Sequence, residues 1–309
     1  MKVLVTGGAG FIGSHIVDRL IGLGHDVIVI DNLCTGKMAF IHPEASFYRV
    51  DLRDRGIQEI VEAEQPEVVI HQAAQIDVPT SVKDPLFDAE TNILGTLRLL
   101  EACRRSGVRK IVYASSAAVY GEPAYLPIDE KHPVDPLSNY GVSKYAPECY
   151  LKVYKRLYGL DYTILRYANV YGIRQDPRGE GGVIAIFLDR VLRNEALTIF
   201  GDGKQTRDFV YVGDIADANI RALHRGSGMI FNLGTGVPTS LEKLVGILEE
   251  VTEKKLRVEY GPERPGDIRH SHFDIRKAEK WLDWTPRIDL KTGLRMTYKY
   301  YLEAARRLS

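Results

Sequence analysis

Short runs of Val, Ile and Leu recur along the first half of the chain, each followed by a stretch in which apolar residues return every three or four positions. The apolar runs predict buried strands over residues 2–6, 26–30, 46–50, 67–71, 109–114 and 161–166. The longer periodic stretches predict helices over residues 11–23, 58–64, 85–105 and 139–158. In the first of these helices Ile12, Ile16, Leu20 and Leu23 fall on one side. Strands alternating with helices predict an α/β fold built on a doubly wound parallel sheet. After Tyr167 the rhythm changes. Residues 174–182, rich in Gly, Pro and charge, read as a loop. Helical patterns follow at 183–194, 213–224, 241–252 and 291–307, with short strands at 198–200, 209–212, 230–232 and 257–260. The expected division is residues 1–168, with parts of 209–227 returning to them, and a smaller α/β lobe over 169–309.

Glycines punctuate the first strand–helix junction. Gly7, Gly10 and Gly13 sit in the stretch Gly7-Gly8-Ala9-Gly10-Phe11-Ile12-Gly13, between the first strand and the first helix. Such a turn lets backbone approach a pyrophosphate, whose charge the helix N-terminus favours. The second strand ends at Asp31, placed to bond an adenosine ribose and to repel a 2′-phosphate. The bland alternative is turn chemistry at Asp31-Asn32. In this strand–turn–helix–strand context the unit reads as a Rossmann-like dinucleotide site that takes NAD in preference to NADP. The small residues of Gln72-Ala73-Ala74-Gln75 follow a strand end, where a cofactor passes close to backbone. Asn92 lies in the predicted 85–105 helix and faces either pocket or solvent. Ser115 and Ser116 close the 109–114 strand, where a hydroxyl can meet a substrate or cap a turn.

Composition narrows the partners. Lys plus Arg number 41 and Asp plus Glu 41, a formal net charge of zero in 309 residues, so no basic surface for nucleic acid is indicated. No apolar run is long enough to span a bilayer, and the chain opens on a strand, so neither membrane insertion nor a secretory leader is expected. Cys34, Cys103 and Cys149 show no metal spacing. No metal is expected, and reduced thiols in the cytoplasm are.

Tyr140 and Lys144 stand four residues apart, hence on one face if the segment is helical. With 17 Tyr and 16 Lys, about one such pair arises by chance, and a solvated helix face is the bland reading. An ammonium beside a phenol favours the phenolate; bringing a tyrosine from about 10 to about 7 takes roughly 4 kcal/mol. Such a tyrosine can take a proton from a sugar hydroxyl as hydride leaves the same carbon. Ser138 is the expected helix cap. Pro147, inside this helix, predicts a kink near Ser143. Arg207 and Arg264, each near a tight turn, form a candidate diphosphate clamp or are solvated loop charges.

Taken in order, the glycine turn, Asp31-Asn32, Ser115-Ser116, Tyr140 to Lys144, the run Arg166-Tyr167-Ala168-Asn169-Val170-Tyr171-Gly172, Phe200-Gly201-Asp202-Gly203 with Arg207-Asp208-Phe209, and Arg264-Pro265-Gly266-Asp267 resemble the extended short-chain dehydrogenase/reductase family. Within it the pattern is similar to members acting on nucleotide sugars. Relatives that dehydrate their substrate carry an acidic pair after the serine; here Ala117 and Ala118 occupy those places, which favours epimerisation. The resemblance implies C4 inversion of UDP-glucose and UDP-galactose through a transient 4-keto sugar. Tyr140 is the implied base, Lys144 its electrostatic partner and Ser116 the donor to the 4-oxygen. Implied cofactor contacts are Gly7, Gly10, Phe11, Ile12, Asp31, Asn32, Asp51, Leu52, Ala73, Ala74, Gln75, Asn92, Ser115, Tyr140, Lys144 and Tyr167. Implied UDP-sugar contacts are Ser116, Tyr140, Asn169, Gly182, Val183, Phe200, Arg207, Arg264, Asp267 and Ser271. Ser271 is small where a bulky residue restricts the pocket to plain hexoses, so UDP-GlcNAc and UDP-GalNAc are implied substrates too. A homodimer through the 85–105 and 139–158 helices is implied by the family alone. The competing readings are a nucleotide-sugar dehydratase, reductase or decarboxylase, and a non-catalytic NAD-bound regulator.

Overall fold

The computed structural model describes residues 1–177, 182–263 and 267–308. Its centre is a seven-stranded parallel sheet. The strands are β1 (Lys2–Thr6), β2 (Asp26–Ile30), β3 (Ser46–Tyr48), β4 (Val68–His71), β5 (Lys110–Ser116) and β6 (Asp161–Tyr167), with a seventh from later in the chain. The chain then forms β7 (Asn169–Tyr171), β8 (Leu197–Phe200) and β9 (Thr206–Tyr211). Next comes β10 (Met229–Leu233), which pairs parallel with β6 and is the seventh strand. The sheet order is β10-β6-β5-β4-β1-β2-β3, with the reversal beside β1 and β4 that leaves a crevice at the strand carboxyl ends. Residues 230–232 were expected in the second lobe. Their short apolar pattern says strand but not which sheet, and the pairing of Ile230 with Ile164 decides it.

Helices cover both faces. On one side α1 (Phe11–Gly22) shares a core of Val3, Val5, Ile16, Leu20, Leu165 and Phe231 with residues of α8 (Val212–Ala222) and α10 (Arg276–Leu282). On the other, α2 (Gly56–Glu64), α5 (Thr96–Arg105) and α6 (Asn139–Tyr158) bury Ile57, Leu99, Cys103 and Leu151 against Leu4, Val69 and Ile111. The remaining elements gather on a third cluster. α7 (Val183–Leu192), α9 (Leu241–Thr252) and α11 (Leu290–Leu308) pack Phe187, Leu188, Leu244, Leu248 and Leu294 against Ile199, Phe209 and Tyr211. Here β9 lies between β11 (Pro238–Ser240) and β7, while β8 pairs with β12 (Val258–Gly261).

One helix expectation changes. The 85–105 stretch is not one α-helix. It comprises α4 (Pro85–Ala89), a π-helical turn over Glu90–Gly95 and then α5, preceded by the short α3 (Val78–Lys83). Gly95 lets this turn pass close to the loop after β3, since a Cβ there would lie 2.9 Å from the Leu52 Cβ. The helix α6 spans Asn139–Tyr158 with Pro147 inside it. Among the described residues no helix is long and apolar enough to cross a membrane.

Candidate active site

The glycine turn has the shape the pattern predicts. Gly7 adopts φ +69°, and a Cβ there would come 2.8 Å from the Ala73 nitrogen. At Gly13 a Cβ would stand 2.0 Å from the Gly7 carbonyl, so only glycine lets α1 close onto β1. Gly10 caps α1 and offers no side-chain acceptor, leaving the helix end available to an anion. Asp31 is buried at the end of β2; Ala9 N–H donates to its Oδ2 at 3.0 Å and Leu33 N–H to its Oδ1 at 2.8 Å. Burial pushes its carboxyl pKa up against these two bonds. Asn32 donates to Asp51 at 2.7 Å, and Arg53 holds that carboxyl far below the usual carboxylate range. Leu52 is buried beside them. The close backbone at Gly7 and Gly13, the uncapped start of α1 and the carboxylate at the end of β2 are the features a dinucleotide needs, and the residues present fit one.

The next strand ends are held from below. The Ala73 N–H donates to Thr6 Oγ1 at 3.2 Å, and Thr6 Oγ1 meets His71 Nδ1 at 2.7 Å. His71 Nε2 meets Thr96 Oγ1 at 2.9 Å. Burial first, and then the Lys144 charge, push the His71 pKa down to about 3, so this imidazole is neutral. Asn92 faces neither open pocket nor solvent. It is buried, takes the Gln75 N–H at 2.7 Å and donates to Gln75 O at 2.9 Å and Ser143 Oγ at 2.9 Å. Gln75 donates in turn to the buried Asp88 carboxylate at 2.8 Å. The π turn thus aims Asn92 at the loop after β4 and at α6 together.

Ser138 caps α6 through the Gly141 N–H at 3.1 Å, as expected. Tyr140 is half-buried at its first turn, and its N–H donates to Ser81 Oγ at 3.1 Å. Lys144 is buried, with Nζ 4.7 Å from the Tyr113 ring centre. Burial pushes its pKa down to about 8, against the pull of Glu148 and Asp88. Burial first, and then the Glu148 charge, push the Tyr113 pKa well up. Ser116 ends β5, its Oγ accepting the Ala118 N–H at 3.1 Å. Ser115 is different from expectation: its hydroxyl donates to Glu148 Oε1 at 2.6 Å inside the protein. Tyr167 is likewise turned inward, with its hydroxyl among Gln72 and Asn219.

The second group of elements reaches this cluster through Phe273. Its ring stacks edge-on against Tyr120, centroids 5.9 Å apart, just beyond Ser116. The Ser271 N–H donates to Thr206 O at 3.2 Å, next to Arg207 on β9. Arg207 lies 3.7 Å from Asp267, and burial pushes its pKa down. Asp208 stood in the motif without a role; its buried carboxylate takes N–H groups of Thr235, Gly236 and Phe273 and ties these segments together. Of the other expected substrate residues, Asn169 is exposed at the start of β7, Gly182 caps α7 ahead of Val183, and Phe200 ends β8. Arg264 lies outside the described residues. Sequence reasoning also missed Glu148, although its place four residues after Lys144 marked it as facing the same way.

The model of the NAD dependent epimerase/dehydratase family matches residues 3–234. The chain belongs to this family. A putative UDP-glucose 4-epimerase of Methanocaldococcus jannaschii is 54% identical over 294 residues, covering 95% of this chain and 96% of the relative. The solved structure of a Thermotoga maritima UDP-glucose 4-epimerase with UDP-glucose superposes with a TM-score of 0.97 at 46% identity, covering 99% of this chain and 100% of the other. A UDP-N-acetylglucosamine 4-epimerase from Methanobrevibacter ruminantium, solved with UDP-N-acetylmuramic acid, has a TM-score of 0.94 at 39% identity, covering 98% of each chain.

Proposed function

We propose that this protein is an NAD-dependent isomerase that interconverts UDP-glucose and UDP-galactose by inverting C4. The observation that carries the reading is the placement of Tyr140 and Lys144, one turn apart on α6, beside β5, the strand that ends in Ser116. The same nucleotide-sugar activity in the Thermotoga maritima relative supports it.

NAD, when bound here, would supply reversible hydride chemistry at the sugar C4. Gly7, Gly10, Phe11 and Ile12 would hold its pyrophosphate, Asp31 its ribose, and Asn32, Asp51 and Leu52 its base. Tyr140 takes the proton of the sugar 4-hydroxyl and gives it back after the 4-keto sugar has turned over in the pocket. Lys144 favours the phenolate while it is an ammonium. Ser116 donates to the 4-oxygen. Ala117 and Ala118 offer no second acid, so nothing is eliminated. Arg207 and Arg264 hold the diphosphate, with Asn169, Gly182, Val183, Phe200 and Asp267 around the nucleotide. Ser271 leaves room for an N-acetyl group, in keeping with the UDP-N-acetylglucosamine activity of the Methanobrevibacter ruminantium relative. Residues 1–168 with α8 and β10 form the NAD-binding part, and the rest binds the UDP-sugar.

The exposed apolar residues Val142, Tyr150, Val153 and Leu157 on α6, with Leu94 nearby in sequence to α5, support a homodimer through this face. Three free cysteines agree with a reducing cytoplasm.

Proton NMR of the purified protein with UDP-galactose, without added cofactor, tests the reading. UDP-glucose should accumulate to a fixed ratio. Tyr140→Phe should keep its NAD and lose nearly all turnover; a variant that still turns over removes Tyr140 from proton transfer. An unsaturated or decarboxylated product would refute epimerisation.

A further inference from the structure

Two bonds tie the strand that delivers Ser116 to the helix that delivers Tyr140 and Lys144. Tyr113 and Ser115 share one face of β5, two residues apart. The Tyr113 hydroxyl donates to the Lys144 carbonyl at 3.2 Å. The Ser115 hydroxyl donates to Glu148 Oε1 at 2.6 Å. Lys144 and Glu148 are one helical turn apart on α6, and Pro147 lies between them. Proline has no N–H, so the ladder bond that would run to the Ser143 carbonyl is missing at this turn. The helix is thus weakest internally just where Lys144 must be held.

Glu148 is well made for an external hold. It is fully buried, and Arg166 on β6 grips it with two bonds, Nε to Oε1 at 2.9 Å and Nη2 to Oε2 at 2.5 Å. The Arg166 guanidinium lies 4.7 Å over the Tyr120 ring, and Tyr120 donates to Asn232 at 2.7 Å. Neither oxygen of Glu148 is left to swing, so Ser115 is anchored to a group that does not move.

We propose that Ser115 and Glu148, braced by Arg166, are positioning residues that fix Ser116 relative to Tyr140 and Lys144 across the turn that Pro147 weakens. The inference rests on the roles given above to Tyr140, Lys144 and Ser116. Ser115 then acts through Glu148 and not by touching substrate. Small displacements of reacting groups cost rate more than binding, so the strut should show in kcat.

Ser115→Ala tests it, because it removes the donor and leaves the Glu148–Arg166 pair whole. The holoenzyme is assayed with UDP-galactose for kcat and KM, its NAD content is read after denaturation, and its thermal midpoint is measured. The expected result is a fall in kcat of about ten-fold, with KM and NAD content within about two-fold of the parent and the midpoint nearly unchanged. A parental kcat in Ser115→Ala beside an inactive Tyr140→Phe overturns the strut and leaves the epimerase reading standing. Active Tyr140→Phe brings down the underlying reading and the strut with it. A joint loss of kcat, substrate affinity, NAD content and thermal midpoint makes Ser115 a packing residue and also overturns the proposal.

Discussion

Replacing Lys144 by methionine should make the protein more stable while it abolishes turnover. Lys144 is buried, and burial pushes its pKa from 10.5 down to about 8 even with Glu148 and Asp88 pulling the other way. A depression of that size corresponds to about 3 kcal/mol. The sign follows from the order of proton loss. Below pH 8 the side chain is charged in both folded and unfolded chains, and the folded state carries the whole desolvation cost. Between about pH 8 and 10.5 the folded protein releases its proton first, so the cost fades as pH rises. Methionine has a similar length, no charge and enough flexibility to fill the space. It forfeits the contact of the ammonium with the Tyr113 ring, worth about 1 kcal/mol. The net expectation is about 2 kcal/mol of added stability at pH 7, or roughly 4 °C in thermal midpoint for a chain of this size. The advantage should shrink toward pH 10. Urea unfolding of nucleotide-free protein, followed by circular dichroism at pH 7 and pH 10, measures both quantities. A Lys144→Met variant that is less stable at pH 7, or whose advantage does not change with pH, would refute the reasoning. The gain would mean that this lysine is kept for what it does and at a cost to the fold.

Three further outcomes follow from the geometry. Gly13→Ala would place a Cβ 2.0 Å from the Gly7 carbonyl, so α1 must move off β1; a loss of about 3 kcal/mol and NAD-free purified protein are expected, and normal stability with bound NAD would contradict the cradle. Ser271→Tyr should reduce turnover of UDP-GalNAc by about ten-fold or more while sparing UDP-galactose, whereas equal losses would argue that Ser271 does not set sugar size. Sedimentation at micromolar concentration should show a dimer, and Val153→Glu, on the exposed apolar side of α6, should shift it to monomer; a parent protein that sediments as a monomer would sink the interface.

The parallel sheet, the glycine turn and the Tyr140–Lys144 face were legible because each is a local pattern. Period-two and period-3.6 apolar spacing report which face is buried, and a glycine between strand and helix reports a backbone constraint without reference to distant residues. The helix over Leu241–Thr252 and the Ser138 cap are of the same kind. What stayed hidden depends on partners far apart in the chain. Ile230 pairs with Ile164, so β10 belongs to the main sheet and not to the second lobe. The 85–105 stretch keeps helical spacing throughout, yet a π turn interrupts it and turns Asn92 to serve Gln75 and Ser143 at once. Ser115 looks like a site hydroxyl until Glu148 and Arg166 are seen to enclose it. By itself the sequence determined the chemistry available: a dinucleotide turn, a tyrosine–lysine pair, a serine and two candidate arginines. Only the tertiary structure decided which polar groups face the crevice and which are used up inside, because buried donors and acceptors must find partners, and those partners come from strands and helices that only folding brings together.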